Sequence, residues 1–249
     1  MTPRGGDHRD TVVFVGPTLA ASEVGAALPG VRVVPPVAVG DVLRLTRQRT
    51  IRRIAIIDGY FERMAAVWHK ELLLAIERGI AVWGASSMGA LRAAELARFG
   101  MRGVGAIYRM YARGELIADD EVAVVHLPAD HGYCVASDAL VNLRHGIARA
   151  PMLSAGTRGK LVELARSRFY ADRSWARLIN DAREAGLPAR QLDGLATWPK
   201  PDLKAQDARA LLRTLVRDRR PPPRLRMPRT WAFRQLQAWA RGDRFERRG

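Results

Sequence analysis

Residues 80–96, IAVWGASSMGALRAAEL, constrain the fold of this chain more than any other stretch. Ile80 to Trp83 is a short apolar run, Gly84 to Gly89 is rich in small residues, and Ala90 to Arg98 has the composition of a helix. This order predicts a buried strand, a tight turn and a helix. Such a turn places free backbone N–H groups and the positive end of a helix dipole at the edge of a sheet, where an anion or oxyanion can bind.

The predicted turn contains two serines. Ala85-Ser86-Ser87-Met88-Gly89 differs from the G-x-S-x-G nucleophile elbow in having alanine at the first glycine. Ser87 is therefore the first candidate for a nucleophile, and Ser86 is either a second hydroxyl or a helix cap. We expect Ser86, Met88 and Gly89 to line the substrate and oxyanion site. The alternative is an ordinary strand-to-helix turn capped by serine.

Short apolar runs alternate with helical segments through the first 150 residues, which predicts an α/β fold with an open, mostly parallel sheet flanked by helices. A long helix is predicted from Phe61 to Arg78, and only helices are predicted after Ser137. We therefore expect an α/β core at 1–150, a helical region at 151–220 and a basic tail at 221–249 with a terminal helix from Pro228 to Arg241. The five predicted strands are Thr11–Val15, Val31–Val34, Arg53–Ile57, Ile80–Trp83 and Val122–His126.

Polar residues follow four of these strands, and ligands of open parallel sheets bind at the carboxyl ends of strands. Asp58, Ser87 and His126 stand at three separate strand ends, and together they are the residue types that acyl chemistry uses. Histidine would take the serine proton, and aspartate would orient the imidazole. His69, in the Phe61 helix, competes with His126 for the role of base. Residues expected to bind substrate at the same edge are Gly16, Pro17, Thr18, Gly59 and Tyr60.

Charge divides this chain of 249 residues into two parts. Residues 1–150 have 18 Lys and Arg against 15 Asp and Glu, whereas residues 151–249 have 23 against 10. The excess of basic residues favours an acidic partner. However, 37 of the 41 basic residues are arginine, and a compositional bias of the genome would produce the same excess. We rank a nucleic-acid partner last, because the α/β part shows no basic stripe interleaved with aromatic residues.

The remaining composition predicts a cytoplasmic protein without a membrane segment. No apolar run approaches the roughly 20 residues that a membrane helix needs, the first residues lack a signal core, and the lone Cys134 has no internal partner for a disulfide. No metal-ligand spacing occurs, and we expect no cofactor. Asp119-Asp120-Glu121 is interpreted as a solvated acidic loop rather than a cation site.

Five blocks of sequence, in their order and spacing, resemble the core of TfuA-like proteins over residues 11–150. They are FVGPTL (14–19), IIDGYFERMAAVWHKELLLAI (56–76), VWGASSMGALRAAEL (82–96), FGMRGVG (99–105) and DDEVAVVH (119–126). The resemblance implies a role beside a YcaO-type enzyme in replacing a backbone amide oxygen of a ribosomally made peptide with sulfur. It implies that the sulfur comes from a thiocarboxylated, ubiquitin-like carrier protein, which a TfuA-like protein hydrolyses to sulfide.

The resemblance, together with the serine turn, thus implies a thiocarboxylate hydrolase that contacts a YcaO enzyme, an acidic sulfur carrier and the precursor peptide. The main alternative is a non-catalytic partner that binds and activates the YcaO enzyme. A change of Ser87 to alanine separates the two, because an activator would keep its effect without the hydroxyl.

Overall fold

A computed structural model describes residues 7–60, 65–127 and 129–239 of the chain. Five strands form a parallel sheet in the order β2-β1-β3-β4-β5, which confirms the predicted fold class. From β1 the chain goes to β2 on one side, and then returns to β3 on the other side of β1. The loops that follow β1 and β3 therefore lead in opposite directions at the carboxyl edge of the sheet. The strands are β1 (Thr11–Phe14), β2 (Arg32–Val34), β3 (Arg53–Ile56), β4 (Ala81–Ala85) and β5 (Arg102–Val104).

The prediction of a fifth strand at Val122–His126 is wrong, because β5 lies earlier in the chain and the 122–126 segment is irregular. It does not pair with a strand of the sheet, and its Val125 carbonyl accepts the Ala136 N–H at 2.8 Å instead. The Val122 carbonyl accepts from Lys204, and the Val125 N–H donates to the Ser137 hydroxyl. A single antiparallel bridge joins His126 to Val135. The true β5 is short and contains a glycine, so its sequence does not resemble an apolar run.

Eleven helices are found in the described part of the chain, and those after residue 137 confirm the helical C-terminal region. One of them, α9, was not predicted, whereas the predicted terminal helix ends at Trp239 as far as it is described. They are α1 (Ala21–Ala27), α2 (Asp41–Leu45), α3 (His69–Glu77), α4 (Met88–Leu96), α5 (Ala106–Ala112), α6 (Leu140–Arg149), α7 (Ala155–Ser167), α8 (Trp175–Glu184), α9 (Ala189–Thr197), α10 (Leu203–Arg217) and α11 (Trp231–Trp239).

Helix α3 begins at His69, eight residues later than predicted, and residues 61–64 of the predicted helix lie outside the described residues. The start is fixed by Glu71, which is fully buried. Its carboxylate accepts the Trp68 N–H at the helix start, and also the N–H groups of Gly40 and Leu43 at α2. This single side chain therefore caps one helix and ties it to another.

Both faces of the sheet are covered by helices, as alternating strand side chains require. On one face, Ile54 and Ile56 pack among side chains of α2, α3 and α4. On the other, Ala55 and Ile57 pack among side chains of α1 and α10. Helix α10 runs antiparallel to the strands. This follows from a hydrogen bond that Arg53, at the start of β3, donates to the Leu215 carbonyl near the C-terminus of α10. Its N-terminus therefore lies at the carboxyl edge.

The remaining helices and the tail pack outside this sandwich. Side chains of α6, α7, α8 and α9 form a separate apolar cluster. In the tail, Met227, Phe233 and Leu236 pack on Leu43 of α2 and Leu74 of α3, so α11 is docked against the α/β core. The predicted end of this helix at Arg241 lies outside the described residues. Within the described ranges, we find no helix with the length and apolar composition needed to cross a bilayer.

Candidate active site

The serine turn between β4 and α4 is closed by a backbone hydrogen bond between residues only two positions apart. The Ser87 N–H donates to the Ala85 carbonyl at 2.9 Å, which makes a three-residue turn centred on Ser86. Ser86 has φ +69°, a left-handed conformation that costs about 1–2 kcal/mol for a residue with a Cβ atom. Strain of this kind is concentrated at functional sites. Both serines are buried, with exposed fractions of 0% for Ser86 and 3% for Ser87.

Close packing of glycines holds the turn against the sheet. A Cβ atom on Gly84 would lie 1.9 Å from the Gly89 carbonyl oxygen, and one on Gly89 would lie 1.8 Å from the Ile56 oxygen. A Cβ atom on Gly59 would lie 2.7 Å from Cγ of Met88, which is buried. The Gly89 N–H donates to the Ile57 carbonyl at 3.3 Å. Gly59 and Gly89 therefore act by letting α4 approach the sheet.

Lys204 brings a buried amine to the serine turn. Its Nζ donates to the Val122 carbonyl oxygen at 2.8 Å, and the Ser87 hydroxyl donates to the same oxygen at 3.4 Å. Burial lowers the pKa of the Lys204 amine below its ordinary value of 10.5, and the negative charge of Asp58 acts in the opposite direction. The site therefore joins a serine hydroxyl to an amine that loses its proton more readily than a lysine in water.

Helix α10 positions this lysine through two carboxylates. Asp202 accepts the Ala205 N–H at 2.9 Å and caps the helix. One turn beyond Lys204, Asp207 accepts the N–H groups of Ala106 and Ile107, at 2.8 and 2.7 Å, and thus caps α5. Because these bonds fix the N-terminal turn of α10 to the α/β core, the buried amine is held at the carboxyl edge of the sheet.

Asp58 organises the loop after β1, at the point where the strand order reverses. One carboxylate oxygen accepts the N–H groups of Gly16 and Thr18, at 2.9 and 3.1 Å, and the other accepts the Thr18 hydroxyl at 2.6 Å. Asp58 is 2% exposed. Gly16 is required there, since a Cβ atom would lie 2.4 Å from Pro36. The predicted convergence of Asp58, Gly16 and Thr18 is present, with Pro17 in the loop between them.

The two candidate histidines have other partners. The His126 ring lies between Tyr60 and Tyr133, with centroid distances of 6.0 and 5.5 Å, and its Nδ1 bonds to the Leu127 carbonyl. His69 is half exposed on α3, and its Nε2 bonds to the Glu95 carboxylate at 2.8 Å. Within the described residues, neither histidine is hydrogen-bonded to Asp58. The expected Asp–His arrangement therefore stays a prediction.

An open cavity of about 490 Å³ lies beside the serine turn. Met88 and Ala123 line it, and they directly follow Ser87 and Val122 in the chain. Arg92 and Glu95 form an ion pair on its wall at 2.6 Å. We call it the Arg92 cavity. It provides a solvent-accessible space that reaches the residues following Ser87 and Val122.

The acidic loop is engaged in ion pairs. Asp120 pairs with Arg173 at 2.7 Å, and Glu121 pairs with Arg144 at 2.6 Å. Across residues 7–60, 65–127 and 129–239, no group of three or more His, Cys, Asp or Glu side chains is placed to hold a metal ion.

Lys204 is the site residue that the sequence analysis missed. The sequence contains one signal for it: only four of the 41 basic residues are lysine. Arginine keeps its charge in proteins, whereas a buried lysine can lose a proton. A lysine in such an arginine-rich chain, at the start of an amphipathic helix, is therefore a candidate base.

The comparisons with known proteins agree with the resemblance found in the sequence. A family model described as TfuA-like protein matches residues 58–174, which run from Asp58 through the serine turn, α6 and α7 to the residue before α8. A comparison with curated proteins gave no match.

Proposed function

Residues 58–174 belong to the TfuA-like family, and from this premise we propose that the chain releases sulfide for a YcaO-type enzyme. Its substrate is the thiocarboxylated C-terminus of a ubiquitin-like sulfur carrier, and the sulfide is used to thioamidate a ribosomally made peptide. One observation supports the chemical step most strongly: Ser87 and the buried Lys204 share the Val122 carbonyl.

The proposed reaction forms and then breaks an acyl-enzyme. A hydroxyl of the serine turn attacks the thiocarboxylate carbon, and the Lys204 amine receives its proton through or from Ser87. The resulting tetrahedral intermediate collapses, the carbon–sulfur bond breaks, and the Lys204 ammonium returns the proton to sulfur, so that hydrosulfide leaves. Water then hydrolyses the serine ester to a carboxylate and restores the hydroxyl. The net change is thiocarboxylate plus water to carboxylate, hydrosulfide and a proton.

Lys204 suits this reaction because the substrate is an anion. A thiocarboxylate spreads its charge over oxygen and sulfur, and this lowers the reactivity of its carbon towards nucleophiles. The buried amine can accept the serine proton when it is neutral, and the ammonium so formed stabilises charge that develops in the transition state. Asp58 holds the Gly16–Thr18 loop in place and opposes the effect of burial on the pKa of Lys204. We assign it a positioning role.

The Arg92 cavity is the proposed entry for the carrier. Sulfur carriers of this type end in a flexible glycine pair, which has no side chains to hinder its entry into the cavity. The cavity reaches Met88 and Ala123, so a tail inside it would approach the serine turn. The carrier is expected to be acidic, and the chain has a net charge of +16. Neither a metal nor a cofactor takes part in the proposed reaction.

Sulfide release tests this function without a YcaO enzyme. Wild type is mixed with a thiocarboxylated ubiquitin-like carrier, and hydrosulfide is measured over time. We expect turnover by wild type and loss of at least about 100-fold in a double variant, Ser86→Ala with Ser87→Ala. Ser167→Ala is the control, because that serine is exposed on α7. Equal release by wild type and a folded double variant would refute the proposal.

A second candidate, activation of the YcaO enzyme by binding, is favoured by a different surface. Trp68 and Trp231, which are 42% and 60% exposed, line an apolar cavity of about 330 Å³ together with Leu236. The surrounding segment 219–239 has six arginines and no acidic residue. Tryptophan and arginine are the side chains most enriched at binding hot spots. Under this alternative, Trp231→Ala weakens YcaO binding, and the serine double variant still stimulates the enzyme fully.

A further inference from the structure

The two serines of the turn differ in conformation and in bonding, although they are adjacent in sequence. Ser87 is the residue that precedes α4, and its hydroxyl donates to the Val122 carbonyl. Ser86 lies at the tip of the turn with φ +69°. Its Oγ is buried and has no hydrogen-bond partner among the described residues. A buried hydroxyl without a partner costs about 1–3 kcal/mol, so it requires an explanation.

From this difference we infer that Ser86, rather than Ser87, is the nucleophile, and that Ser87 relays its proton to Lys204. The inference rests on the proposed hydrolase function and specifies how the site carries it out. In a nucleophile elbow, the attacking serine occupies the strained corner between strand and helix, with small residues close by. Ser86 occupies that corner, directly after β4.

The first glycine of the elbow pattern also matches this register, whereas Met88 stands at the position of the second glycine. Gly84 precedes Ser86 by two residues, so Gly84-Ala85-Ser86 has the first glycine of the elbow pattern in place. The alanine that breaks the pattern when Ser87 is taken as nucleophile becomes an ordinary intervening residue. The crowding at Gly84, where a Cβ atom would lie 1.9 Å from the Gly89 oxygen, shows why a larger residue is excluded there.

The bonds of Ser87 support a relay in which the Ser86 hydroxyl, which has no partner in the part of the chain that the structure describes, turns towards Ser87 when the substrate binds. The Ser87 hydroxyl and the Lys204 amine both donate to the Val122 carbonyl oxygen, at 3.4 and 2.8 Å. The two donor atoms are therefore no more than 6.2 Å apart. When the Ser86 hydroxyl attacks the acyl carbon, its proton passes to the Ser87 oxygen while the Ser87 proton passes to the neutral amine. Ser87 begins and ends the step as a hydroxyl. The Lys204 ammonium later protonates the departing sulfur.

A covalent probe distinguishes the two hydroxyls. Diisopropyl fluorophosphate phosphorylates an activated serine and releases fluoride. Trypsin cuts after Arg78 and Arg92, and the peptide 79–92 contains both serines. Fragmentation of this peptide between Ser86 and Ser87 locates the adduct. We expect it on Ser86 in wild type and still on Ser86, formed more slowly, in Ser87→Ala. An adduct on Ser87 in wild type, or no adduct on the peptide, overturns the inference.

Activity and stability give a second, independent readout. Ser86→Gly removes both the strain and the unpartnered hydroxyl, so we expect the Tm to rise by about 2–4 °C while sulfide release falls at least about 100-fold. Ser87→Thr keeps a hydroxyl and is expected to retain more release than Ser87→Ala. Release by Ser86→Gly within threefold of wild type would overturn the inference. An adduct on Ser86 in a protein that releases no sulfide would instead refute the thiocarboxylate substrate and leave the nucleophile assigned.

Discussion

The Lys204 amine and the Ser87 hydroxyl meet at the carbonyl oxygen of Val122. These groups come from three separate parts of the chain: α10, the β4–α4 turn and the irregular segment after residue 121. The carbonyl is available to both because the segment does not pair as a strand. An error in predicting that strand therefore concealed the element that joins the proposed base to the serine turn.

The burial of Lys204 makes stability depend on pH. Burial lowers the pKa of its amine in the folded protein below the ordinary 10.5. Below the folded pKa, the amine is charged in both states and the cost of burying it is fully present. Between the folded pKa and 10.5, the unfolded chain binds more protons, so stability increases with pH.

We therefore expect the unfolding free energy of wild type, relative to Lys204→Met, to rise with pH in this window. Urea unfolding at several pH values measures it, with Lys160→Met as the control, because Lys160 is exposed on α7. A difference that is independent of pH up to 10.5 would show that the amine does not titrate abnormally.

The loop after β1 depends on the charge of Asp58. In Asp58→Asn, an amide cannot accept the three donors that Gly16 and Thr18 direct at the carboxylate. We expect a loss of about 2–3 kcal/mol in unfolding free energy and weaker sulfide release. Thr18→Val removes only one of the bonds and should cost about 1 kcal/mol. Equal losses in the two variants would argue against this role of the carboxylate.

The approach of α4 to the sheet depends on Gly89. A Cβ atom there would meet the backbone oxygen of Ile56 at 1.8 Å, and a backbone atom cannot rotate away as a side chain can. Gly89→Ala should cost about 3 kcal/mol. Gly159→Ala in α7 is the matched control, since nothing lies within 4 Å of its Cβ position. It should stabilise the protein by about 0.5–1 kcal/mol, as alanine replaces glycine in a helix. Thermal unfolding compares the two.

The docking of the terminal helix depends on Phe233. This side chain is fully buried against Leu43 and Leu74, whereas Trp231 on the same helix is 60% exposed. We expect Phe233→Ala to cost about 3 kcal/mol and to raise hydrogen exchange in α11. Trp231→Ala should change stability by less than about 1 kcal/mol. Unchanged exchange in Phe233→Ala would show that other contacts hold the helix.

The alternation of strands and helices was predictable because each buried strand is a short apolar run with a turn at its end. Thr11–Phe14, Arg53–Ile56 and the β4 turn all follow that pattern. Strand β5 was not predictable, because Arg102-Gly103-Val104 is partly exposed and has a single apolar side chain. At Val122 a strand was predicted where none exists, because this apolar residue is buried among helices rather than in a sheet.

The site was predictable only in part, for a related reason. Asp58, Ser86 and Ser87 follow strands, so topology alone places them at one edge. Lys204 reaches the same edge because α10 packs across the sheet, more than a hundred residues after the serine turn. A contact of this kind depends on the packing of helices and leaves no spacing in the sequence. The strain at Ser86 also depends on three-dimensional packing, in this case between Gly84 and Gly89.

Activation of the serine turn by a buried amine is tested by measuring sulfide release in Lys204 variants. Wild type, Lys204→Met, Lys204→Arg and Lys160→Met are compared on a thiocarboxylated ubiquitin-like carrier, without a YcaO enzyme and with folding checked by circular dichroism. We expect release by wild type and Lys160→Met, and a loss of about 100-fold or more in both Lys204 variants, because neither methionine nor arginine can act as a base. Release by folded Lys204→Met at the wild-type rate would contradict this activation.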